Sequence, residues 1–164
     1  MGRKLPFDPI DEAARQWGLR WGAVEQMHAV TSLMRVQQLV LAELDELLRP
    51  HGLTFARYEA LVLLTFSRTG ALPLGKMGER LQVHATSVTS IVDRLETAGL
   101  VVRRRHPEDG RAVLAEITDA GRELVERATA DLVAARFALT ALDPAQLHEL
   151  SQLLRPVREQ AGDF

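Results

Sequence analysis

The 164-residue sequence predicts a mainly α fold with a small β-wing: a winged helix-turn-helix set between long N- and C-terminal dimerisation helices. Three observations carry this. Across residues 74–118 the hydrophobic period changes from helical to extended and back. Val88, Ile91, Val92 and Leu95 fix a helix that closes at Gly99, where a left-handed terminating residue favours glycine. Segments 100–106 and 112–117 then alternate or run apolar like strands, with Pro107, Asp109 and Gly110 supplying turn chemistry between them.

Composition sets the bounds. At 46% hydrophobic and 26% charged, the chain has the balance of a globular protein with one real core. It divides into an N-terminal arm and dimerisation helix (1–53), a winged helix-turn-helix (54–118) and C-terminal dimerisation helices (119–164), expected as one continuous protomer. Cysteine is absent, which excludes a disulfide framework, a thiolate metal site and a thiol redox switch. Apolar runs are too short for a membrane span, and Asp8, Asp11 and Glu12 stand where a signal peptide would be apolar, so a cytoplasmic protein is expected. With a net charge of -2, any surface for nucleic acid must be local. Charge does segregate: Arg103, Arg104, Arg105 and Arg111 outnumber the acids around them, while residues 143–164 are net acidic.

In order, Asp8 or Asp11 caps a short helix running towards Trp17, interrupted by Gly18 and Gly22. Trp17 and Trp21, four apart, share a helical face if the helix survives Gly18, and dock the arm. A long helix over 25–48 carries apolar residues on more than one side, Val36 and Leu39 adding to the stripe from Val30 to Leu48, and it ends at Pro50 and Gly52. Thr54 is placed to cap a helix over 55–66. Ala71, Leu72 and Pro73 suit a third small strand. Thr118 opens another long helix whose stripe, Leu124, Ala128, Leu132, Val133 and Phe137, continues to residue 137. Asp143 followed by Pro144 opens the last helix, which Pro156 kinks or shortens. The terminal helices carry more apolar face than one winged helix covers, which implies a homodimer.

In a helix-turn-helix the second helix enters the major groove of double-stranded DNA, so its outward side needs small hydrogen-bonding groups. His84, Thr86, Ser87, Thr89 and Ser90 fit, with Arg94 further along, and Lys76 and Arg80 on the preceding helix reach backbone phosphates. Arg111 at the ribbon tip suits a narrow minor groove, and Asp109 can orient it by a bidentate pair. Strand alternation sends neighbouring side chains to opposite faces, so Arg103, Arg104 and Arg105 cannot all meet DNA; Arg103 and Arg105 are nominated. Solvated surface explains any one of these residues alone. Their order and spacing together are far more specific.

The run Leu81-Gln82-Val83-His84-Ala85-Thr86-Ser87-Val88, then Asp93-Arg94-Leu95-Glu96, Ala98-Gly99-Leu100-Val101, Arg103-Arg104, Asp109-Gly110-Arg111 and Ile117-Thr118-Asp119-Ala120-Gly121 resembles the MarR family of bacterial transcription regulators. The resemblance covers residues 54–124 well and the flanking helices loosely. It implies a winged-helix homodimer on a pseudo-palindromic operator, a repressor released by a small effector, often an aromatic or phenolic acid. Departures are Gly78, where alanine is commoner, and Gly110 in the wing. A subgroup similar to the urate-responsive regulators has an N-terminal helix with a tryptophan, as Trp17 would be. That subgroup also has an acid where this chain has Glu59, and an arginine where it has Ser90 or Ile91, so purine sensing is not implied.

An effector pocket would draw on Trp17, Trp21, His28, Arg35, Arg57, Tyr58 and Glu59, with Met27, Met34 and Phe66 as further lining. A carboxylate ligand needs a cation beside apolar walls, which Arg35 and Arg57 offer; pairing across a dimer for Arg35 and a surface or phosphate contact for Arg57 are equally open. The five histidines lack ligand spacing, no cofactor motif is present, and no catalytic signature is found, so neither a metal site nor an enzyme is expected. The alternative to a DNA-binding regulator is a winged-helix interaction module, which would need exposed apolar residues in place of Thr86, Ser87, Thr89 and Arg94.

Overall fold

The computed structural model describes residues 5–107 and 112–164. In chain order the elements are α1 (Pro9–Gly18), α2 (Val24–Leu48), α3 (Phe55–Thr65), β1 (Ala71–Pro73), α4 (Leu74–Leu81), α5 (Ala85–Thr97), β2 (Val101–Arg105), β3 (Val113–Ile117), α6 (Asp119–Ala134) and α7 (Pro144–Gln160). Single 3-10 turns follow α2 at Arg49–His51 and α6 at Arg136–Ala138. The fold is mainly helical with a three-stranded antiparallel sheet, as the sequence predicts. The residues form two units, Met1–Glu43 and Leu44–Phe164, and α2 contributes to both.

In the first unit, the Asp8 side chain accepts from the Ile10 amide at 2.8 Å, with Pro9 at the start of α1, where its missing N–H costs nothing. The helix stops at Gly18, so the two tryptophans do not lie along one helix. The chain turns instead, bringing the rings of Trp17 and Trp21 to 4.8 Å while Trp17 Nε1 donates to the Gly22 carbonyl at 2.9 Å. His28 Nε2 and Asp11 Oδ1, 2.8 Å apart, tie α2 to α1. The sequence expects α2 buried on more than one side. Within the single chain only Leu44 and Leu48 are buried, and Val30, Leu33, Met34, Val36, Leu39 and Leu41 are exposed.

The second unit builds its own core. Leu48, Ala60, Leu61, Leu64, Met77, Val92, Val101, Ala115, Ala128 and Leu132 are fully buried, and α3 packs against α4, α5, α6 and β3. Its start departs from expectation. Thr54 is extended but makes no capping bond; Asp45 from α2 accepts from the Phe55 amide at 2.7 Å instead. The anticipated third strand is present, with Ala71 opposite Glu116 and Pro73 opposite Leu114. Between α4 and α5 the chain reverses at Gln82, whose φ of 53° is left-handed without glycine. The two helices approach closely there, since a Cβ on Gly78 would stand 3.2 Å from the Val83 carbonyl oxygen and 3.3 Å from Val88 Cγ2.

After the sheet, Thr118 caps α6 by accepting from the Gly121 amide at 3.1 Å. Helix α6 buries Val125, Ala128 and Leu132 but ends at Ala134, short of the expected continuation. Arg136, Phe137 and Ala138 all take positive φ, so Phe137 leaves the stripe, and Val133 is exposed. Helix α7 opens on a complete capping box between Asp143 and Gln146 and runs through Pro156 to Gln160, with no residue buried and Leu153 and Val157 exposed. No helix among the described residues is long and apolar enough to cross a membrane.

One contact in this unit is steric. A Cβ on Gly121 would lie 2.4 Å from the Leu100 carbonyl oxygen and 2.8 Å from Ile117 Cγ1, and the first of these is backbone that cannot swing away. Gly121→Ala is therefore expected to destabilise the protein by about 1–3 kcal/mol, the cost of overpacking a fixed site. Urea denaturation checks this, and a change under about 0.5 kcal/mol would show that the junction relaxes freely.

Candidate nucleic-acid interface

Burial of Val88, Val92 and Leu95 decides which way helix α5 faces. With those three inward, His84, Thr86, Ser87, Thr89, Ser90, Asp93 and Arg94 are exposed together. Ile91 is half-buried. The start of the helix is capped by His84, whose Nδ1 accepts from the Thr86 amide at 3.4 Å and lies 2.9 Å from Thr86 Oγ1. Small residues dominate the first turns, so the backbone can approach a groove closely. Lys76 and Arg80 are exposed on α4.

The wing is the β2–β3 ribbon, extended one step beyond the strands by the His106 amide donating to the Ala112 carbonyl at 3.0 Å. Asp109 and Arg111, nominated at its tip, lie outside the described residues, as does Gly110. The three arginines of β2 separate as pleating requires. Arg104 pairs with Glu116 across the sheet, and Arg103 and Arg105 share the other face. Arg105 is exposed. Arg103 turns back onto α5: one guanidinium nitrogen is 2.5 Å from Asp93 Oδ1, another pairs with Glu96, and its amide donates to Glu96 Oε1 at 3.1 Å.

This cluster shapes the local field. Burial acts to lower the Arg103 pKa, but its hydrogen bonds to Glu96 and Asp93 outweigh that and raise it, so the guanidinium stays charged. One positive charge is thereby shared between two carboxylates on the exposed helix, so their negative field is offset in part. Lys76, Arg80, Arg94 and Arg105 make no ion pair among the described residues. Asp93 and Glu96 are the residues that sequence reasoning missed. Their signal is two acids three apart on a helix otherwise suited to an anion, followed seven residues after Glu96 by an arginine.

The residues nominated for an effector fall in both units. Trp17, Trp21 and His28 are engaged as described above, and Arg35 is exposed on α2. Arg57, Tyr58 and Glu59 are consecutive on α3 and so point in three directions. Tyr58 is buried with its hydroxyl 2.8 Å from Thr129 Oγ1, and Arg57 Nε donates to Thr54 Oγ1 at 3.2 Å. Glu59 keeps solvent contact, yet the protein around its carboxyl removes enough hydration to raise its pKa above the ordinary value. Among the described residues no cluster of histidines and carboxylates has the geometry to hold a metal ion.

The MarR family profile matches residues 56–113. The organic hydroperoxide resistance transcriptional regulator of Bacillus subtilis is 34% identical over 108 residues, covering 66% of this chain and 71% of the relative. This chain belongs to the MarR family. Among solved structures it is similar to Sco5413, a MarR family transcriptional regulator from Streptomyces coelicolor, at 57% identity and a TM-score of 0.82 over 87% of this chain and 99% of that one. Sco3205, a MarR family regulator from the same organism solved in complex with DNA, is 29% identical with a TM-score of 0.77, covering 86% of this chain and 90% of the other. As a MarR family member the chain is a winged-helix transcription regulator and not an enzyme.

In this MarR regulator the Arg103 cluster ties the wing to α5. Its arginine is about a quarter exposed and its acids more so, which limits the gain from solvent-screened charge. Arg103→Met is expected to cost roughly 1 kcal/mol of stability and to speed amide exchange in β2. Adding Asp93→Asn and Glu96→Gln should recover most of the loss, because the penalty lies in the unpaired acids. Equal loss in the single and triple variants would show that the cluster carries no coupling.

Proposed function

We propose that this MarR family regulator is a cytoplasmic homodimer that binds a pseudo-palindromic operator in double-stranded DNA and represses transcription until a small effector, aromatic or carboxylate in character, releases it. The observation that carries the DNA reading is the exposed face of α5. It offers hydroxyls and an imidazole at the helix start, Arg103 offsets part of the charge of its two acids, and cations that make no ion pair among the described residues flank it. An interaction module would present apolar side chains at Thr86, Ser87, Thr89 and Arg94, where this surface is polar. Sco3205, solved with DNA, supports the same reading by similarity of fold and sequence.

In the bound state, Thr86, Ser87, Thr89, Ser90 and Arg94 face base edges, with His84 at the helix start. Lys76, Arg80 and Arg105 meet phosphates, and Arg111, oriented by Asp109, enters the minor groove. Arg103 serves the same surface by holding the wing to α5. Two-fold symmetry of the protein then demands two half-sites. Dimerisation is supported by the exposed apolar side chains of α2 and α7, which water alone would leave costly. For the effector, the support is chemical: Trp17, Trp21, His28, Arg35, Arg57, Tyr58 and Glu59 supply aromatic surface and cations, and Glu59 is the one whose carboxyl pKa is raised by lost hydration. Thermal shift with a panel of aromatic carboxylates, read beside operator release, tests that component separately.

Two outcomes are expected. Sedimentation at micromolar concentration should give a particle of about 36 kDa, twice the 18.2 kDa chain; a monomer would refute the dimer. Selection from random DNA should return a two-fold symmetric sequence, to which Arg111→Ala binds more weakly by about 1–3 kcal/mol. Unchanged affinity and salt slope in that variant would remove the wing from the interface.

A further inference from the structure

The hydroxyls on the reading face are not equivalent, because some of their protons are already committed inside the protein. The Thr86 backbone amide donates to His84 Nδ1 at 3.4 Å, and an amide can only donate. Nδ1 therefore carries a lone pair and the ring proton sits on Nε2. It follows that in the 2.9 Å contact between His84 Nδ1 and Thr86 Oγ1 the hydroxyl is the donor. One turn further on, Thr89 Oγ1 donates to the Ala85 carbonyl at 3.1 Å, the back-bond to the residue four earlier that threonine readily makes in a helix. Both side chains remain exposed. With both hydroxyl protons directed inward, they present oxygen lone pairs and a methyl group outward. Ser87 and Ser90, by contrast, make no side-chain hydrogen bond among the described residues and can turn either way.

We propose that Thr86 and Thr89 are acceptor-only specificity residues that read the exocyclic amino groups of adenine or cytosine in the major groove, while His84 offers an Nε2–H donor beside them. This rests on the operator-binding reading above. The logic is one of exclusion. Phosphate oxygens, guanine O6 and N7, and thymine O4 are all acceptors and cannot partner an acceptor; only adenine N6 and cytosine N4 carry donors at the major-groove edge. In this arrangement the two threonines offer no proton to a phosphate oxygen, although hydroxyls at a helix start usually do. They set base preference, and Lys76, Arg80 and Arg105 set the salt dependence.

The test compares selected DNA sequences and salt dependence for the wild-type dimer with those for Thr86→Val and Thr89→Val, which keep the branched shape and methyl group but lose the oxygen. Thr89→Ser keeps the oxygen and serves as the folding and packing control. The wild type and Thr89→Ser are expected to prefer an amino-bearing base at the contacted position by roughly three- to tenfold, about what one net hydrogen bond supplies. Each valine variant should lose that preference at its own position and keep the salt slope. Replacing the contacted adenine by purine, which lacks the amino group, or the contacted cytosine by 2-pyrimidinone, should weaken the wild type and leave the matching valine variant unaffected.

A retained base preference in the valine variants overturns the proposal, as does a fall of about 0.9 in the salt slope, which would place the hydroxyls on phosphate. If the wild type itself selects no sequence, the operator reading fails along with it. If the wild type selects one and valine changes nothing, only the acceptor assignment fails.

Discussion

The placing of α5 against the wing depends on one junction, where residues 99 and 100 meet residues 118 and 121. Thr118 stands at its centre. Its amide donates to the Leu100 carbonyl at 3.0 Å, its hydroxyl donates to the Gly99 carbonyl at 2.9 Å, and the same oxygen accepts from the Gly121 amide. The Leu100 amide in turn closes onto the Leu95 carbonyl at 2.9 Å. The end of α5, the approach to β2 and the start of α6 are thus joined by main-chain groups and one hydroxyl. Glycine at 121 is what permits the approach, since any side chain would occupy the space of the Leu100 carbonyl. A site on rigid elements can hold several donors and acceptors in register, which one on free loops cannot.

On this frame the charges are sorted and not simply accumulated. A chain of net charge -2 cannot attract DNA as a whole, so the field must be made locally. Arg103 and Arg104, the densest part of the basic run, are used up on Asp93, Glu96 and Glu116. Two arginines against three carboxylates offset part of the acidic charge and fix the wing. The cations left over, Lys76, Arg80, Arg94 and Arg105, are spread over α4, α5 and β2. A count of arginines along the sequence therefore overstates the charge this segment has free for a partner.

Legibility in the sequence follows the range of the interaction concerned. Local capping chemistry could be read directly: Asp8, Thr118 and Asp143 cap the helices they precede. The inward face of α5 was equally readable, because Val88, Val92 and Leu95 report their own periodicity. Capping by a distant residue could not be read. Thr54 makes no capping bond and Asp45 instead holds the first amide of α3, and nothing near residue 54 announces it. Backbone breaks without glycine were also hidden. Gln82, Phe137 and their left-handed φ values have no compositional marker, so an apolar stripe seemed to carry α6 through a point where the chain in fact turns. At the interface, residue types gave the outward hydroxyls of α5, but which of them can still donate depends on bonds of fixed direction to His84 and Ala85. Composition and periodicity carry no information about where a proton points.

The same contrast separates the two units. Of the buried apolar side chains only Ala14 belongs to the described residues before Leu44, although that stretch holds two tryptophans and most of a 25-residue helix. Local propensity is a weak source of helical order there, because a helix in a protein gains most of its stability from packing an apolar face. The second unit, with its own core, has no such debt except on α7, where Leu153 and Val157 stand in solvent beside an N-terminus capped as firmly as any in the molecule. The apolar faces left open on both α2 and α7 contrast with α5, which is packed behind its polar surface by the core of the second unit, and they are the observation on which the proposed homodimer rests.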